Sequence, residues 1–272
     1  RVLAAFRQPQ PDDALPRFAV EDHLAALTGP EPRWPESTRT ISTLRLSLRV
    51  AGGGLLSGMS GPRAVHLDIV DYPGEWLLDL PLRGKDFAVF SEEAESAARS
   101  PAREAVAAGW LAVADTVDPD AEADEVLAGR LAETFRAYLA ECRAANLALS
   151  TLPPGRFLMP GDMEGSPALT FAPLTKRADR ARPGSMQAMM QRRYEAYKNV
   201  VVRPFFRDHF ARLDRQIVLA DALAAFNAGP EALHDLEAAL AGILECFRTG
   251  RSSFLSGLFR PRIDRILFAA TK

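Results

Sequence analysis

Asp71 and Gly74, three positions apart, form the pattern in this sequence that points most directly to a ligand-binding site. They lie in residues 65–76, which begin with strand-like apolar alternation and break at Asp71, where Pro73 and Gly74 favour a turn. A carboxylate at a strand end can hold Mg²⁺, and a glycine three residues later lets its own N–H approach a terminal phosphate. Because Asp-x-x-Gly is also common in ordinary surface turns, the surrounding elements must decide between the two interpretations.

The composition is that of a globular protein, with 272 residues of which 47% are hydrophobic and 25% charged. A formal net charge of −2 argues against nucleic acid as a partner. No run reaches the ~18 apolar residues of a membrane helix, so no transmembrane segment is predicted. Cys142 and Cys246 lie in amphipathic patterns typical of buried thiols in a cytosolic protein, and no zinc site is predicted.

Two pairs of strands are predicted to position the turn. Apolar alternation at 41–50 and 64–70, joined by a short glycine-rich connection, predicts an antiparallel hairpin. Strands at 215–221 and 265–270 flank a helix and predict a parallel βαβ unit. A short helix at 20–27, with Asp22 as its cap, is expected before the hairpin.

Helices and loops are expected between the two pairs of strands. A long amphipathic helix is predicted at 124–149, and its aromatic positions are interpreted as core. Helix resumes at 187–210. Between these helices, a Pro/Gly-rich loop at 152–174 is either a structured plug against a site or a long exposed connector.

The predicted arrangement of strands resembles that of small guanine-nucleotide-binding domains. The turn after Asp71 and the pair Thr271 and Lys272 both follow the carboxyl ends of strands, where α/β sheets bind ligands. In such domains a threonine before the second strand reaches Mg²⁺, and Thr38 is our choice for it, ahead of Thr40 and Ser37.

Longer motifs are similar to those of the YcjX-like family, which comprises bacterial, stress-associated P-loop proteins. They are residues 71–81 (DYPGEWLLDLP), 157–171 (FLMPGDMEGSPALTF), 193–198 (RYEAYK) and 201–206 (VVRPFF). The resemblance implies an α/β, P-loop NTPase-like (small-GTPase-like) sheet with a large, mainly helical insertion. It also implies binding of GTP or GDP with Mg²⁺ in the cytoplasm.

The resemblance assigns roles to particular residues. Asp71 and Gly74 match the magnesium and γ-phosphate motif, and Thr38 and Asp71 are the expected metal ligands. Thr271 and Lys272 match the first two positions of a Thr-Lys-x-Asp motif that binds guanine, in which the lysine stem lies along the base.

The ends of the sequence lead us to expect a fragment of a longer chain, because it begins without Met and stops directly after an apolar strand. The family's P-loop is expected before Arg1, and the guanine-binding aspartate after Lys272. Without the P-loop, this fragment alone is expected to bind nucleotide poorly or not at all. Residues 1–74 and 211–272 would form an incomplete GTPase-like core, and 75–210 the helical insertion.

Glu75 is the candidate catalytic residue, because it occupies the position where many such enzymes carry a water-orienting glutamine. A carboxylate there can accept a proton from water, but it also repels the γ-phosphate. We therefore expect slow hydrolysis, or help from another group such as an arginine of the insertion. Trp76 is interpreted either as a buried anchor or as a contact that senses nucleotide.

The sequence thus predicts a GTP-binding switch or slow GTPase of a bacterial stress response. The alternative is a protein-interaction module on a degenerate nucleotide-binding fold without hydrolysis, with a protein partner binding the insertion. An ATPase of the same superfold is a third, weaker interpretation.

Overall fold

The computed structural model describes residues 1–10, 12–35, 38–52, 62–144, 153–248 and 265–271. The chain divides into two compact units, Arg1–Gly74 and Glu75–Lys272. The first unit contains the hairpin, and the second contains most of the helices together with the parallel pair of strands.

A three-stranded antiparallel sheet of order β1-β2-β3 forms the first unit, with β1 at Val2–Gln8, β2 at Ser42–Val50 and β3 at Arg63–Asp71. The predicted hairpin is confirmed by the pairing of β2 with β3. β1 is an addition to the prediction. Its sequence, VLAAFRQ, shows no strand alternation, and pairing with β2 determines its conformation.

The predicted short helix is confirmed as α1 (Val20–Thr28), which lies between β1 and β2 in the chain. The prediction that Asp22 caps this helix was wrong, because Ala19 occupies the N-cap position and makes no side-chain cap hydrogen bond. Asp22 lies instead in the first turn, where its carboxylate interacts favourably with the helix dipole.

The two faces of the β2–β3 hairpin differ in chemistry. One face carries the apolar cross-strand pairs Leu44–Ile69, Leu46–Leu67 and Leu48–Val65. On the other face, Arg45 donates a 2.6 Å hydrogen bond to Asp68, and this hydrogen bonding lowers the pKa of the Asp68 carboxyl. Alternation of this kind fixes the register, because a slip by one residue would exchange the two faces.

The second unit is mainly helical in its described part. A 3₁₀ helix at Gly74–Gly84 leads into it, and shorter 3₁₀ helices lie at Gly161–Met163, Pro167–Leu169 and Phe210–Arg212. Its α-helices are α2 (Phe87–Ala98), α3 (Glu104–Ala114), α4 (Glu125–Ala144), α5 (Gly155–Leu158), α6 (Met186–Tyr197), α7 (Arg203–Asp208), α8 (Ala222–Ala228) and α9 (Pro230–Arg248).

The long helix predicted at 124–149 corresponds to α4. Asp124 precedes it and caps it, since its Oδ1 accepts hydrogen bonds from the backbone N–H groups of Val126 (2.8 Å) and Leu127 (3.1 Å). Residues 145–149 of the prediction lie outside the described residues.

The helix predicted at 187–210 is interrupted in the structure. A π-helical turn at Lys198–Val202 separates α6 from α7. Pro204 follows this turn and has no N–H to donate to a carbonyl four residues earlier, so a regular α-helical ladder cannot run through this point.

Aromatic side chains dominate the core of the second unit, as predicted for the aromatic positions of α4. Phe90 stacks on Tyr194 with 4.8 Å between ring centroids, and Trp110 stacks on Tyr138 with 5.5 Å. All four are at most 2% exposed. Cys142 and Cys246 are both buried thiols, and burial raises the pKa of Cys142.

The predicted parallel pair of strands is confirmed as β4 (Arg215–Asp221) and β5 (Arg265–Thr271), which pair in register from Arg215↔Arg265 to Asp221↔Thr271. The described residues place the strands of the chain in two hydrogen-bonded sheets, one in each unit. The expected continuation of the hairpin into the parallel pair stays a prediction, as does the assignment of 75–210 as an insertion.

Candidate functional site

Thr38 and Asp71, the two predicted metal ligands, contact each other. The antiparallel register pairs Ser42, the first residue of β2, with Asp71, the last residue of β3. The loop before β2 is therefore brought to the end of β3, where the Thr38 hydroxyl donates a 2.7 Å hydrogen bond to Oδ2 of Asp71. Ser37, the alternative to Thr38, lies outside the described residues.

The Thr38 hydroxyl and the Asp71 carboxylate are both suitable oxygen ligands for a magnesium ion. Hydroxyl and carboxylate oxygens are the ligands that Mg²⁺ prefers, and the ion completes its octahedral shell with water and the phosphates of a substrate. Thr38 supplies a hydroxyl oxygen and Asp71 supplies a carboxylate, and these two groups lie within hydrogen-bonding distance of each other. The arrangement therefore suits a metal ion bound jointly with a phosphate ligand, while the role of each residue as a ligand stays a prediction.

Gly74 begins the 3₁₀ helix that follows the turn and is exposed to solvent. A Cβ atom built at this position would meet no atom of the described residues within 4 Å. The first N–H groups of a helix lack intrahelical partners and attract anions. A phosphate can therefore approach the backbone here without a side chain in the way, as the predicted role requires.

Glu75, the candidate catalytic residue, is held by groups that sequence reasoning did not identify. Its carboxylate forms an ion pair with Arg143 in the last turn of α4. Its carbonyl oxygen faces Gly155, where an added Cβ would lie only 1.9 Å from that oxygen. Both the side chain and the backbone of Glu75 are thus held by the helical unit.

Asp79 lies at the centre of a buried network one turn further along the 3₁₀ helix. It is 2% exposed and accepts hydrogen bonds from the N–H of Gly155 (2.7 Å) and the hydroxyl of Tyr197 (2.5 Å). Burial raises the pKa of Asp79 to about 6, against the opposing effect of these hydrogen bonds. The network joins the 3₁₀ helix to the Pro/Gly-rich loop and to α6.

Trp76 connects the same 3₁₀ helix to the Pro/Gly-rich loop. Its Nε1–H donates a 3.0 Å hydrogen bond to the carbonyl of Met159, and the guanidinium carbon of Arg156 lies 3.3 Å from the centroid of its ring. Arg156 also donates to Asp162 (3.0 Å). These contacts agree with Trp76 as a buried anchor, and they favour a structured plug over an exposed connector for the described part of the loop.

The predicted base-binding residues lie at the other end of the chain. Thr271 is the last residue of β5 and pairs with Asp221, so it does lie at the carboxyl end of a parallel strand. Lys272 lies outside the described residues. Asp71 and Thr271 belong to different units, and their convergence on one site stays a prediction.

Asp79 and Arg143 were not predicted from the sequence, and only one of them carries a sequence signal. Asp79 is the single charged residue in the apolar run 76–82, and a lone acid in such a run indicates a buried carboxyl with dedicated partners. Arg143 carries no such signal, because an arginine near the end of an amphipathic helix is ordinary and its partner is 68 positions away in the chain.

The fold and the site together define a mixed α/β protein with a candidate magnesium and phosphate site at the end of a hairpin. The sequence model of the YcjX-like family, DUF463, matches residues 1–272, and the chain belongs to this family. The resemblance seen in its motifs is thereby confirmed.

Two relatives carry the name Ras-like GTPase YcjX. The protein of Escherichia coli (strain K12) is 38% identical over 280 residues, which cover 100% of this chain and 60% of the relative. The protein of Shewanella oneidensis (strain MR-1) is also 38% identical over 280 residues, covering 100% of this chain and 58% of the relative. The chain thus spans about three fifths of the length of these relatives.

The described residues also bear on membranes and on clusters of metal ligands. None of the helices in the described ranges is both long and apolar enough to cross a membrane. The same part of the chain holds no group of three or more His, Cys, Asp or Glu side chains placed to bind a metal.

Proposed function

We propose that this chain belongs to a guanine-nucleotide-binding protein of the Ras-like type. The protein binds GTP or GDP with Mg²⁺ and acts as a nucleotide-dependent switch or slow GTPase. The contact between Thr38 and Asp71 carries the proposal, because it joins the loop before β2 to the end of β3 through two oxygen ligands suited to Mg²⁺. The names of the two relatives support it. A role in a bacterial stress response, in the cytoplasm, is proposed from the family resemblance.

Each residue of the proposed site has a defined task. Thr38 and Asp71 hold the metal ion, and the N–H of Gly74 approaches the γ-phosphate. Glu75 accepts a hydrogen bond from the attacking water. Thr271 and Lys272 contribute to binding the guanine base. When bound, Mg²⁺ neutralises part of the negative charge of the phosphates.

The test is calorimetric titration of the full-length protein with GTP, GDP and ATP at saturating Mg²⁺. We expect GTP and GDP to bind, ATP to bind far more weakly, and Asp71→Ala to weaken GTP binding by about tenfold or more. The matched control is Asp68→Ala, which removes a carboxylate of the same strand whose partner is Arg45. We expect Asp68→Ala to bind GTP as the wild type does.

Four results would contradict the proposal. Failure of both GTP and GDP to bind would remove the nucleotide function. Equal binding of ATP would favour an ATPase of the same superfold. Unchanged GTP binding by Asp71→Ala would remove the role of the Thr38–Asp71 site. Intact cellular function in that variant would favour a protein-interaction module.

A further inference from the structure

Glu75 presents an electrostatic problem for the proposed function. It directly follows Gly74, whose N–H is proposed to approach the γ-phosphate, so its carboxylate would lie near several negative oxygens. Like charges at such short range repel, most strongly where water is excluded. An unneutralised carboxylate would turn away from the phosphate rather than toward the attacking water.

A cationic side chain lies next to the Glu75 carboxylate and can neutralise its charge. A guanidinium nitrogen of Arg143 forms an ion pair with Oε1 of Glu75, whose side chain is 19% exposed. Arg143 lies in the last turn of α4, directly after the fully buried Cys142 and one turn after the fully buried Leu139. Because these neighbours anchor the end of the helix in the core, the direction from which Arg143 reaches Glu75 is fixed.

A second contact holds the backbone of the same residue. The carbonyl oxygen of Glu75 packs so closely against Gly155 that a Cβ atom there would lie at 1.9 Å. The N–H of Gly155 donates to Asp79, which lies one turn after Glu75 on the same 3₁₀ helix. Glu75 is therefore restrained at its carbonyl and at its carboxylate by two separate segments, α4 and the Pro/Gly-rich loop.

We propose that Arg143 is a positioning residue for GTP hydrolysis. Arg143 neutralises the Glu75 carboxylate and orients it toward the attacking water. The inference rests on the proposed function. In the reaction, the water oxygen bonds to the γ-phosphorus and the bond from that phosphorus to the β–γ bridging oxygen breaks. The electron pair leaves with GDP, and a water proton passes to the released phosphate. Arg143 acts on this step only through Glu75.

A purely structural ion pair would behave differently. The Arg143 side chain is 45% exposed, and ion pairs with this degree of exposure contribute little to stability. Removing Arg143 should therefore leave folding and GTP affinity nearly unchanged. A large fall in the turnover rate would then reflect the position and charge of Glu75 rather than loss of structure.

The experiment is a double-mutant cycle in the full-length protein, with kcat, KM and GTP affinity measured for the wild type, Arg143→Ala, Glu75→Gln and the double variant. We expect Arg143→Ala to lower kcat about tenfold or more with little change in GTP affinity. In the Glu75→Gln background, the same change should alter kcat by less than about twofold, because a neutral glutamine needs no counter-charge. Arg143→Lys should retain part of the rate.

The matched control is Arg130→Ala, an exposed arginine on the same helix, which should leave kcat unchanged. Equal losses of kcat on removing Arg143 in both backgrounds, or no loss in either, would overturn the inference while GTP binding stands. A wild-type protein that binds GTP without hydrolysing it would also overturn it. A wild-type protein that binds no guanine nucleotide would instead overturn the proposed function.

Discussion

At the scale of single residues, Asp79 makes the clearest prediction about pH. Its carboxyl is 2% exposed, and burial raises its pKa from 3.8 to about 6. The folded state therefore keeps a proton that the unfolded state releases between these two values. The contribution of Asp79 to stability is complete below about pH 4 and is lost as the pH rises through about 6.

The variant Asp79→Asn tests whether the contribution of Asp79 to stability falls as the pH rises. Its amide is uncharged at every pH, so the free energy of unfolding of the wild type should fall relative to that of the variant by about 3 kcal/mol from about pH 4 to about pH 7. Urea unfolding at a series of pH values measures the difference. A difference that rises with pH would mean that the hydrogen bonds from Gly155 and Tyr197 outweigh burial.

The close contact between Gly155 and the backbone of Glu75 leads to a prediction about stability. In the variant Gly155→Ala, the added methyl group would lie 1.9 Å from the carbonyl oxygen of Glu75. Relieving this overlap requires a shift of the backbone at one of the two residues, which costs free energy. We expect a loss of about 2 kcal/mol or more in the free energy of unfolding. Chemical denaturation measures it.

The matched control is Gly109→Ala on the exposed side of α3, where a Cβ meets nothing within 4 Å. We expect this variant to be as stable as the wild type or more stable by up to about 1 kcal/mol, because alanine favours helix. Equal effects at the two positions would show that the loop does not pack against the 3₁₀ helix as described.

At this scale the sequence reveals part of the site. Asp71, Gly74 and Thr38 are recognisable because short-range order along the chain fixes where a strand ends and which loop precedes its partner. Arg143 is not recognisable, because its partner is 68 positions away and only the packed helix brings the two together. Contacts between distant segments leave no periodic pattern in the sequence.

At the scale of elements, the 3₁₀ helix at Gly74–Gly84 depends on the Pro/Gly-rich loop for its position. Trp76 is 4% exposed and donates to the carbonyl of Met159, so the variant Trp76→Ala removes both a large buried surface and a hydrogen bond. We expect backbone amides of both segments to exchange hydrogen faster in this variant, as measured by mass spectrometry.

The control for this prediction is Val126→Ala, because Val126 is 82% exposed on α4 of the same unit. Its removal should leave exchange in the 3₁₀ helix unchanged. If Trp76→Ala exchanges like the wild type in residues 76–84, the loop is not the anchor of this helix.

Elements with strong periodicity were predicted well, and elements without it were not. The hairpin, α4 and the strands β4 and β5 all follow from the pattern of apolar residues along the chain. β1 was missed because its run of small and apolar residues takes its conformation from pairing with β2. The π-helical turn at Lys198–Val202 was missed because the helical pattern continues on both sides of it, although Pro204 indicates that a regular α-helix cannot run through this point.

At the scale of the whole molecule, the residues of the proposed function are distributed over both compact units of the chain. Thr38, Asp71 and Gly74, which are proposed to bind the metal ion and the phosphate, belong to the first unit, and Glu75 begins the second. The helical unit holds the 3₁₀ helix that follows directly from the phosphate turn.

The proposed metal site can be tested by measuring the effect of Mg²⁺ on the GTP affinity of the full-length protein. We predict that Mg²⁺ strengthens GTP binding by about tenfold or more in the wild type and in Thr38→Ser, which keeps the hydroxyl. This gain should largely vanish in Thr38→Ala and in Asp71→Asn. An equal gain in all four proteins would contradict the assignment of Thr38 and Asp71 to the metal ion.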